Sequence, residues 1–235
     1  MGLMISAGLS MLGIGALAQA AFHPNSSIFG RSISISRGPK TEKGLYLTFD
    51  DGPSPSATDR ILRVLDGCQV PAAFFMVGEN VERFPTLARE VAAANHEIGN
   101  HTLRHQKLHL KGFRFIKLEL QRTHEIISSV TARRPRVFRA PHGYRNPFVT
   151  RAARQFGYTV FGWTFGVWDT DRPGSQKIRR RVRARLKPGA IILLHDGDGT
   201  NPHGDRRQTA DALPGIIDDA REAGYIFRPL AELLP

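Results

Sequence analysis

Leu45-Tyr46-Leu47-Thr48-Phe49-Asp50-Asp51-Gly52-Pro53 is a short apolar run that stops at two carboxylates and a turn. Such a run, partly aromatic and bounded by Asp-Gly-Pro, reads as a strand buried on both faces with a turn at its end. The arrangement recurs downstream. Glu97-Ile98-Gly99-Asn100 runs into His101, with His105 four residues on. Val137-Phe138 runs into Arg139-Ala140-Pro141-His142-Gly143, and Ile191-Ile192-Leu193-Leu194 into His195-Asp196-Gly197. Residues 72–77, 159–164 and 225–227 are further strand-like runs. Apolar residues at helical spacing fall between them: Ile61, Leu62, Val64 and Leu65 behind an expected cap at Thr58; Phe115, Leu118, Leu120, Ile126 and Ile127; and the stretches 147–156, 175–186 and 209–223. Strand–helix alternation implies βα units around a parallel sheet. Four strands that each deliver ionisable groups at their C-terminal ends favour a closed barrel over an open doubly wound sheet, because a barrel gathers those ends on one face. The expected fold class is α/β, a (β/α) barrel with parallel strands.

One domain suffices for 235 residues, and 41% hydrophobic with 23% charged residues is an ordinary globular composition. No repeat, low-complexity tract, GxGxxG or Walker-type loop is present, so nucleotide-binding folds lack their usual signature. Residues 1–22 carry no charged side chain, are long enough to span a bilayer, and contain Ala16-Leu17-Ala18 and Ala18-Gln19-Ala20, both of the small-x-small cleavage type. They read as a signal or anchor segment, although no Lys or Arg precedes the apolar run; a hydrophobic helix packed on the barrel is the alternative. The protein is therefore expected to be exported or membrane-anchored, at the cell envelope or outside the cell. Residues 23–43, rich in Ser, Pro, Gly and Lys, read as an irregular linker or lead-in, leaving 44–235 as the domain. Cys68 is the single cysteine, which excludes an intramolecular disulfide and a thiolate cluster. Its neighbours lead into an apolar run, and a buried, inert thiol is expected.

Two adjacent carboxylates after an apolar strand repel one another unless a cation or proton lies between them. His101 and His105, four apart, would point the same way on a helical turn. Together with Asp51 they supply one oxygen and two nitrogens, a set suited to a catalytic divalent ion with open positions for water and substrate. Zinc is the first expectation, with cobalt, manganese or nickel as alternatives.

Thr48-Phe49-Asp50-Asp51-Gly52-Pro53, His101-Thr102-Leu103-Arg104-His105, Arg139-Ala140-Pro141-His142-Gly143 and Leu193-Leu194-His195-Asp196-Gly197 resemble, in order and spacing, the motifs of the polysaccharide deacetylases, carbohydrate esterase family four with its NodB-homology domain. The resemblance runs from about Leu45 to the C-terminus. It implies a distorted, incomplete (β/α) barrel and removal of N-acetyl groups from a chitin-, chitooligosaccharide- or peptidoglycan-like glycan. It also implies roles: Asp51, His101 and His105 as metal ligands, Asp50 as general base partnered by Arg139, and His195 as general acid partnered by Asp169. Pro141, His142 and Gly143 would contact substrate, with the His142 N–H at the oxyanion, and Leu193 would line the acetyl pocket. The family's Asp-x-x-Asp-Trp motif is altered: in Gly166-Val167-Trp168-Asp169-Thr170 only the second Asp remains, and Trp168 is the candidate to replace the missing aromatic wall.

The 33 Lys and Arg against 21 Asp and Glu give a formal net charge of +12, which favours polyanionic neighbours: an anionic wall polymer, a membrane surface or nucleic acid. The densest cluster, residues 177–187, repeats Ile178, Val182 and Leu186 every four residues, so it reads as an amphipathic helix whose arginines form a solvated face. No nucleic-acid motif accompanies it, and no specific nucleic-acid partner is expected. The expected partner is an N-acetylated glycan, met by a monomer. An O-acetyl polysaccharide esterase and a non-catalytic carbohydrate-binding relative are the competing readings.

Overall fold

The computed structural model describes residues 34–235; the 1–22 signal or anchor reading and the first half of the 23–43 lead-in lie outside the described residues. Among the described residues, eight strands form one sheet: β1 (Gly44–Asp50), β2 (Ala72–Met76), β3 (Glu97–Asn100), β4 (Val137–Phe138), β5 (Thr159–Val160), β6 (Phe165–Gly166), β7 (Ala190–His195) and β8 (Ile226–Phe227). The order is β5-β4-β3-β2-β1-β7-β6, with β8 joined to the start of β1, and every pairing between these strands is parallel. Around it lie α1 (Thr58–Cys68), α2 (Gly78–Arg83), α3 (Pro85–Ala93), α4 (Phe113–Thr131), α5 (Pro147–Gln155), α6 (Ser175–Arg183) and α7 (Arg207–Glu222).

β1 shows how sequence becomes architecture. All seven of its residues are buried, but alternate ones enter different cores, as the two-residue period of a strand requires. Leu45, Leu47 and Phe49 pack outward with Phe74, Met76, Ile192 and Leu194 under the helices. Tyr46 faces inward with Ala73, Phe75, Val137, Phe161 and Ile191, the bottom of this interior being covered by Leu230, Leu233 and Leu234. Thr48 and then Asp50 continue the inward row, so the interior turns polar towards the C-terminal ends of the strands.

The lead-in is structural where it is described. The Ile35 N–H donates to Val160 O, and the Gly162 N–H donates back to Ile35 O. Two residues on, Arg37 bridges Ala190 at the foot of β7, and its guanidinium donates to Pro188 O. Residues 34–38 thus run across the gap between the end of β5 and the start of β7.

Several local expectations need correction. Thr58 does not cap α1: it is the first helical residue, and its hydroxyl accepts from the Ser54 N–H and donates to Asp196 Oδ2. Only the first two residues of the run 159–164 are strand, β5, and β6 begins beyond it at Phe165, because Phe161 and Gly162 turn to meet Ile35 while the Thr164 hydroxyl donates to Ser36 O. Cys68 is half-buried at the end of α1 rather than fully enclosed. Helices α2 and α3 were not expected; their buried contacts are few and small, such as Val81, Ala88 and Val91.

Candidate active site

Parallel pairing puts Asp50 of β1 directly in register with His195 of β7, and Thr48 with Leu193. Adjacent strands lie about 4.8 Å apart, so a carboxylate and an imidazole stand side by side at the top of the barrel. After Asp50 the chain bends: Asp51 has φ 77, a left-handed conformation rare for a residue with a Cβ. Asp196 clamps that bend, its carboxylate accepting from the Gly52 N–H and from Thr58 Oγ1, and burial pushes its pKa up to about 7. Gly52 must be glycine here, since any Cβ would overlap the Asp196 carboxylate. From the other side, Asn80 donates to both Asp51 O and Gly199 O.

The bend aims Asp51 at two histidines. Asp51 Oδ1 lies 2.9 Å from His105 Nε2 and 3.4 Å from His101 Nε2, and one ligand atom from each of the three falls within 4.8 Å of the others. Oδ1 is nevertheless buried without a properly aligned hydrogen bond. Donor atoms that converge without satisfying each other suit a cation held between them. His101 supports this directly. Its Nδ1 is 2.8 Å from the Arg139 carbonyl, which can only accept, so Nδ1 carries the hydrogen and Nε2 presents a lone pair. Burial disfavours charge on Asp51, yet His105 beside it holds its carboxyl well below the usual range. The two histidines do not share a helical turn. Residues 101–108 form an irregular loop with positive φ at Thr102 (69) and His105 (53), and the Thr102 hydroxyl accepts the His105 N–H.

Asp50 and His195 each have a fixed partner. Arg139, 0% exposed, donates from Nη1 to Asp50 Oδ1 at 2.6 Å and to Thr48 Oγ1, and from Nη2 to Gly162 O; its guanidinium lies 4.1 Å from the Phe75 ring centroid. Gly99 makes that stack fit, because a Cβ there would come 2.7 Å from Phe75 Cε1. Asp169 receives the His195 Nδ1–H at 2.9 Å, the His195 backbone N–H at 2.8 Å and the Thr209 hydroxyl at 2.9 Å. Burial opposes charge on the His195 ring, but Asp169 outweighs it, with Asp51 and Asp50 adding, and the pKa is carried up to about 9.

The remaining expected residues form the rim. Pro141, His142 and Gly143 make one 3-10 turn in which His142 has φ 56, and the His142 ring sits 4.7 Å from that of His105. Burial and the nearby His105 push His142 down to about 4. Leu193 is nearly buried on the inward row below His195. Trp168 is 65% exposed in a left-handed conformation, φ 55, next to Asp169. The basic helix α6 is not simply a solvated face. Arg179 and Arg183 pair with Asp219, Arg181 donates to Val167 O and Trp168 O, and Arg185 to Gly166 O. Sequence reasoning missed Asp196, Asn80 and the buried Arg206, which reaches Gly197 O, Thr170 O and the Asp198 carboxylate. Only Asp196 had a signal, its place in the His195-Asp196-Gly197 turn.

A curled, all-parallel sheet carrying an Asp–His–His cluster and a flanking acid–base couple at one end has the build of a barrel hydrolase. The chain belongs to the polysaccharide deacetylase family, whose sequence profile matches residues 37–161. It is 36% identical over 203 residues to a peptidoglycan-N-acetylglucosamine deacetylase of Bacillus cereus, covering 83% of this chain and 90% of that protein. It is likewise 36% identical over 213 residues to a chitooligosaccharide deacetylase of Rhizobium leguminosarum bv. trifolii, covering 86% and 99%. A solved structure of a peptidoglycan N-acetylglucosamine deacetylase superposes with a TM-score of 0.83 at 28% identity, covering 88% of this chain and 95% of that one. The fold is that family's distorted, incomplete (β/α) barrel, and the protein is an enzyme of the deacetylase class.

Proposed function

We propose that the protein hydrolyses the N-acetyl groups of amino-sugar residues in a chitin- or peptidoglycan-like glycan, using one divalent cation held by Asp51, His101 and His105. The register of Asp50 against His195, each with its own charged partner and both beside the three converging donors, is the observation that carries the reading. One oxygen and two nitrogens favour zinc, with cobalt, manganese or nickel as substitutes. When bound, the ion supplies Lewis acidity at the amide carbonyl and acidifies water.

The residues of the chain do the proton work. Arg139 occupies Asp50 Oδ1, so Oδ2, 3.7 Å from His101 Nε2, is the oxygen that takes the proton of the attacking water. His195 commits Nδ1–H to Asp169, so the proton it gives to the departing amine sits on Nε2. With a pKa of about 9 the ring is protonated at neutral pH and serves as the acid without prior activation. The amide nitrogen needs that proton more than an ester oxygen would, which favours N-deacetylation over O-acetyl hydrolysis. The same reading puts the protein at the cell envelope or outside the cell, supported by the uncharged apolar residues 1–22; among the described residues no helix is long and apolar enough to cross a membrane.

The test is amine release from N-acetylglucosamine oligomers, after chelation and again after adding zinc or cobalt, with Asp50→Asn as control. Metal-restored release that Asp50→Asn abolishes is expected. A chain that binds no metal would sink the assignment of the three ligands, and a loaded chain that cleaves only O-acetyl groups would replace the reaction.

A further inference from the structure

A row of rings leads away from the metal-ligand cluster. The centroids of His105 and His142 are 4.7 Å apart, those of His142 and Tyr144 5.7 Å, and those of Tyr144 and His109 4.8 Å. At Tyr144 the row opens on a surface cavity of 440 Å³ lined by Lys107, His109, Leu110, Lys111 and Tyr144. That lining contains two ammonium groups and no carboxylate. Lys107 Nζ lies 5.8 Å from the Tyr144 ring centroid, and Lys111 Nζ lies 4.8 Å from that of Phe115. Neither lysine takes part in the proton transfers or the metal-ligand cluster.

The cavity wall is held in place. Leu108 is fully buried, and the Lys111 N–H donates to Leu108 O. The Asn146 side-chain amide donates to the carbonyls of Leu108, His109 and Lys111 at 3.1, 3.1 and 3.0 Å, while its Oδ1 caps α5 by accepting the Phe148 and Val149 N–H groups. One side chain therefore rivets the lysine-bearing loop to a helix start. Leu110, between the anchored residues, is 85% exposed. A wall fixed before binding loses little entropy when a ligand arrives.

We propose that this cavity is a subsite for a carboxylate carried by the glycan beside the reacting N-acetylamino sugar, which makes the substrate an acidic, lactyl-ether-bearing glycan of peptidoglycan type rather than a neutral chitin-like polymer. The inference rests on the deacetylase reading above. Sugar rings have apolar faces that pack on aromatic side chains, and the His142–Tyr144 row offers such a track from the centre to the cavity. A lactyl ether then presents both of the groups the cavity suits: a carboxylate for Lys107 and Lys111, and a methyl for Leu110. A neutral N-acetylglucosamine polymer has no charged group to pair with either ammonium. The +12 net charge adds long-range attraction of the same sign.

The experiment compares four soluble glycans of equal length with the full chain. They are an N-acetylglucosamine oligomer, an alternating glycan with free lactyl carboxylates, the same glycan with those carboxylates amidated, and one whose lactyl groups carry a peptide with its own carboxylates. Both kcat/KM for amine release and Kd by calorimetry are measured. Exposed ion pairs are individually weak, so two should favour the free-carboxylate glycan over its amide about 2- to 30-fold, less in high salt. In Lys107→Gln/Lys111→Gln, checked for unchanged thermal unfolding, that ratio should fall to about one. A preference for the peptide-bearing glycan over the amide, lost in the same variant, assigns the carboxylate to the peptide and keeps the subsite. Equal treatment of charged and amidated glycans overturns the proposal, as does a preference that survives in the variant. Calorimetry decides between these even where no amine is released, an outcome that strikes at the deacetylase reading instead.

Discussion

Replacing Asp169 with Asn keeps the size of the side chain but removes its charge and one of its two acceptor oxygens, so it weakens the whole of its hold on His195. Asp169 is buried and accepts three hydrogen bonds, two of them from His195. An opposite charge at this distance is typically worth about 1–3 pKa units, so the variant should lower His195 from about 9 to roughly 7. The acid must hold its proton to act, and activity is therefore lost as pH rises through its pKa. The alkaline limb of kcat/KM should move down by the same amount. At pH 8 a group of pKa about 9 is roughly nine-tenths protonated and one of pKa about 7 roughly one-tenth, so the loss there is about tenfold, against little loss near pH 5.5.

Stability should follow the same pair. His195 is raised from an unfolded value of about 6.5 to about 9, which corresponds to roughly 3 kcal/mol of stabilisation. That contribution is fully present below about pH 6.5 and is lost as pH rises through about 9. Asp169 is lowered, so its half of the linkage is present above about pH 4 and is lost as pH falls further. The two halves describe one interaction and are not added. Urea unfolding of the metal-depleted chain should therefore show the variant's deficit largest between about pH 4 and 6.5 and shrinking towards pH 10. An alkaline limb that stays in place while kcat/KM drops equally at every pH would refute the reasoning, leaving Asp169 as a purely geometric support.

Arg139→Met should cost about 3–5 kcal/mol in urea unfolding, because it strands a buried Asp50 carboxylate; adding Asp50→Asn should recover part of the loss in a double-mutant cycle. Gly99→Ala should cost about 1–3 kcal/mol and lower kcat, since its Cβ would push the Phe75 ring that supports Arg139; wild-type stability would show that the ring moves freely. His101→Ala should abolish stoichiometric zinc binding by atomic absorption while leaving secondary structure by circular dichroism unchanged. Binding of one zinc per chain in that variant would relocate the metal site.

The fold was legible where one strand carries two signals at once. In β1 the apolar run identifies the strand, and the abrupt Asp50-Asp51 marks its C-terminal end, so four such ends sufficed to imply a common face. The spacing of His101 and His105 pointed to two rings that the structure does bring together, though by another route: two left-handed residues in a loop, not a helix, place them. What stayed hidden depends on contacts distant in sequence. Ser34-Ile35-Ser36-Arg37 has no periodicity, and its structure comes from Val160, Gly162 and Pro188 more than 100 residues away. Asn80, Asp196 and Arg206 act mainly by holding backbone groups of other loops, a role without a local sequence pattern. Helices α2 and α3 are short, and Pro85 at the start of α3 is the one local mark of their boundary.

The basic cluster changes meaning once its partners are known. A run containing Arg179, Arg181, Arg183 and Arg185 looks like a polyanion-binding helix, yet these side chains hold the protein together. Two neutralise the buried Asp219, and two bind the carbonyls of Gly166, Val167 and Trp168. That loop departs from the family motif and ends at Asp169. Trp168 adopts a left-handed conformation there, a strain of about 1–3 kcal/mol for a bulky residue, and the arginine bonds, with Arg206 on Thr170 O, offset it. Gly166 and Thr170 can therefore alter the rim around His195 while Asp169 stays fixed on that ring. A nucleic-acid reading loses its strongest stretch, because guanidinium groups engaged internally are less available to phosphates. Lys107 and Lys111, by contrast, border a cavity that begins at the ring row from His105. On the proposed subsite, the positive charge that bears on substrate choice is this pair beside the centre, not the helix where charge is densest.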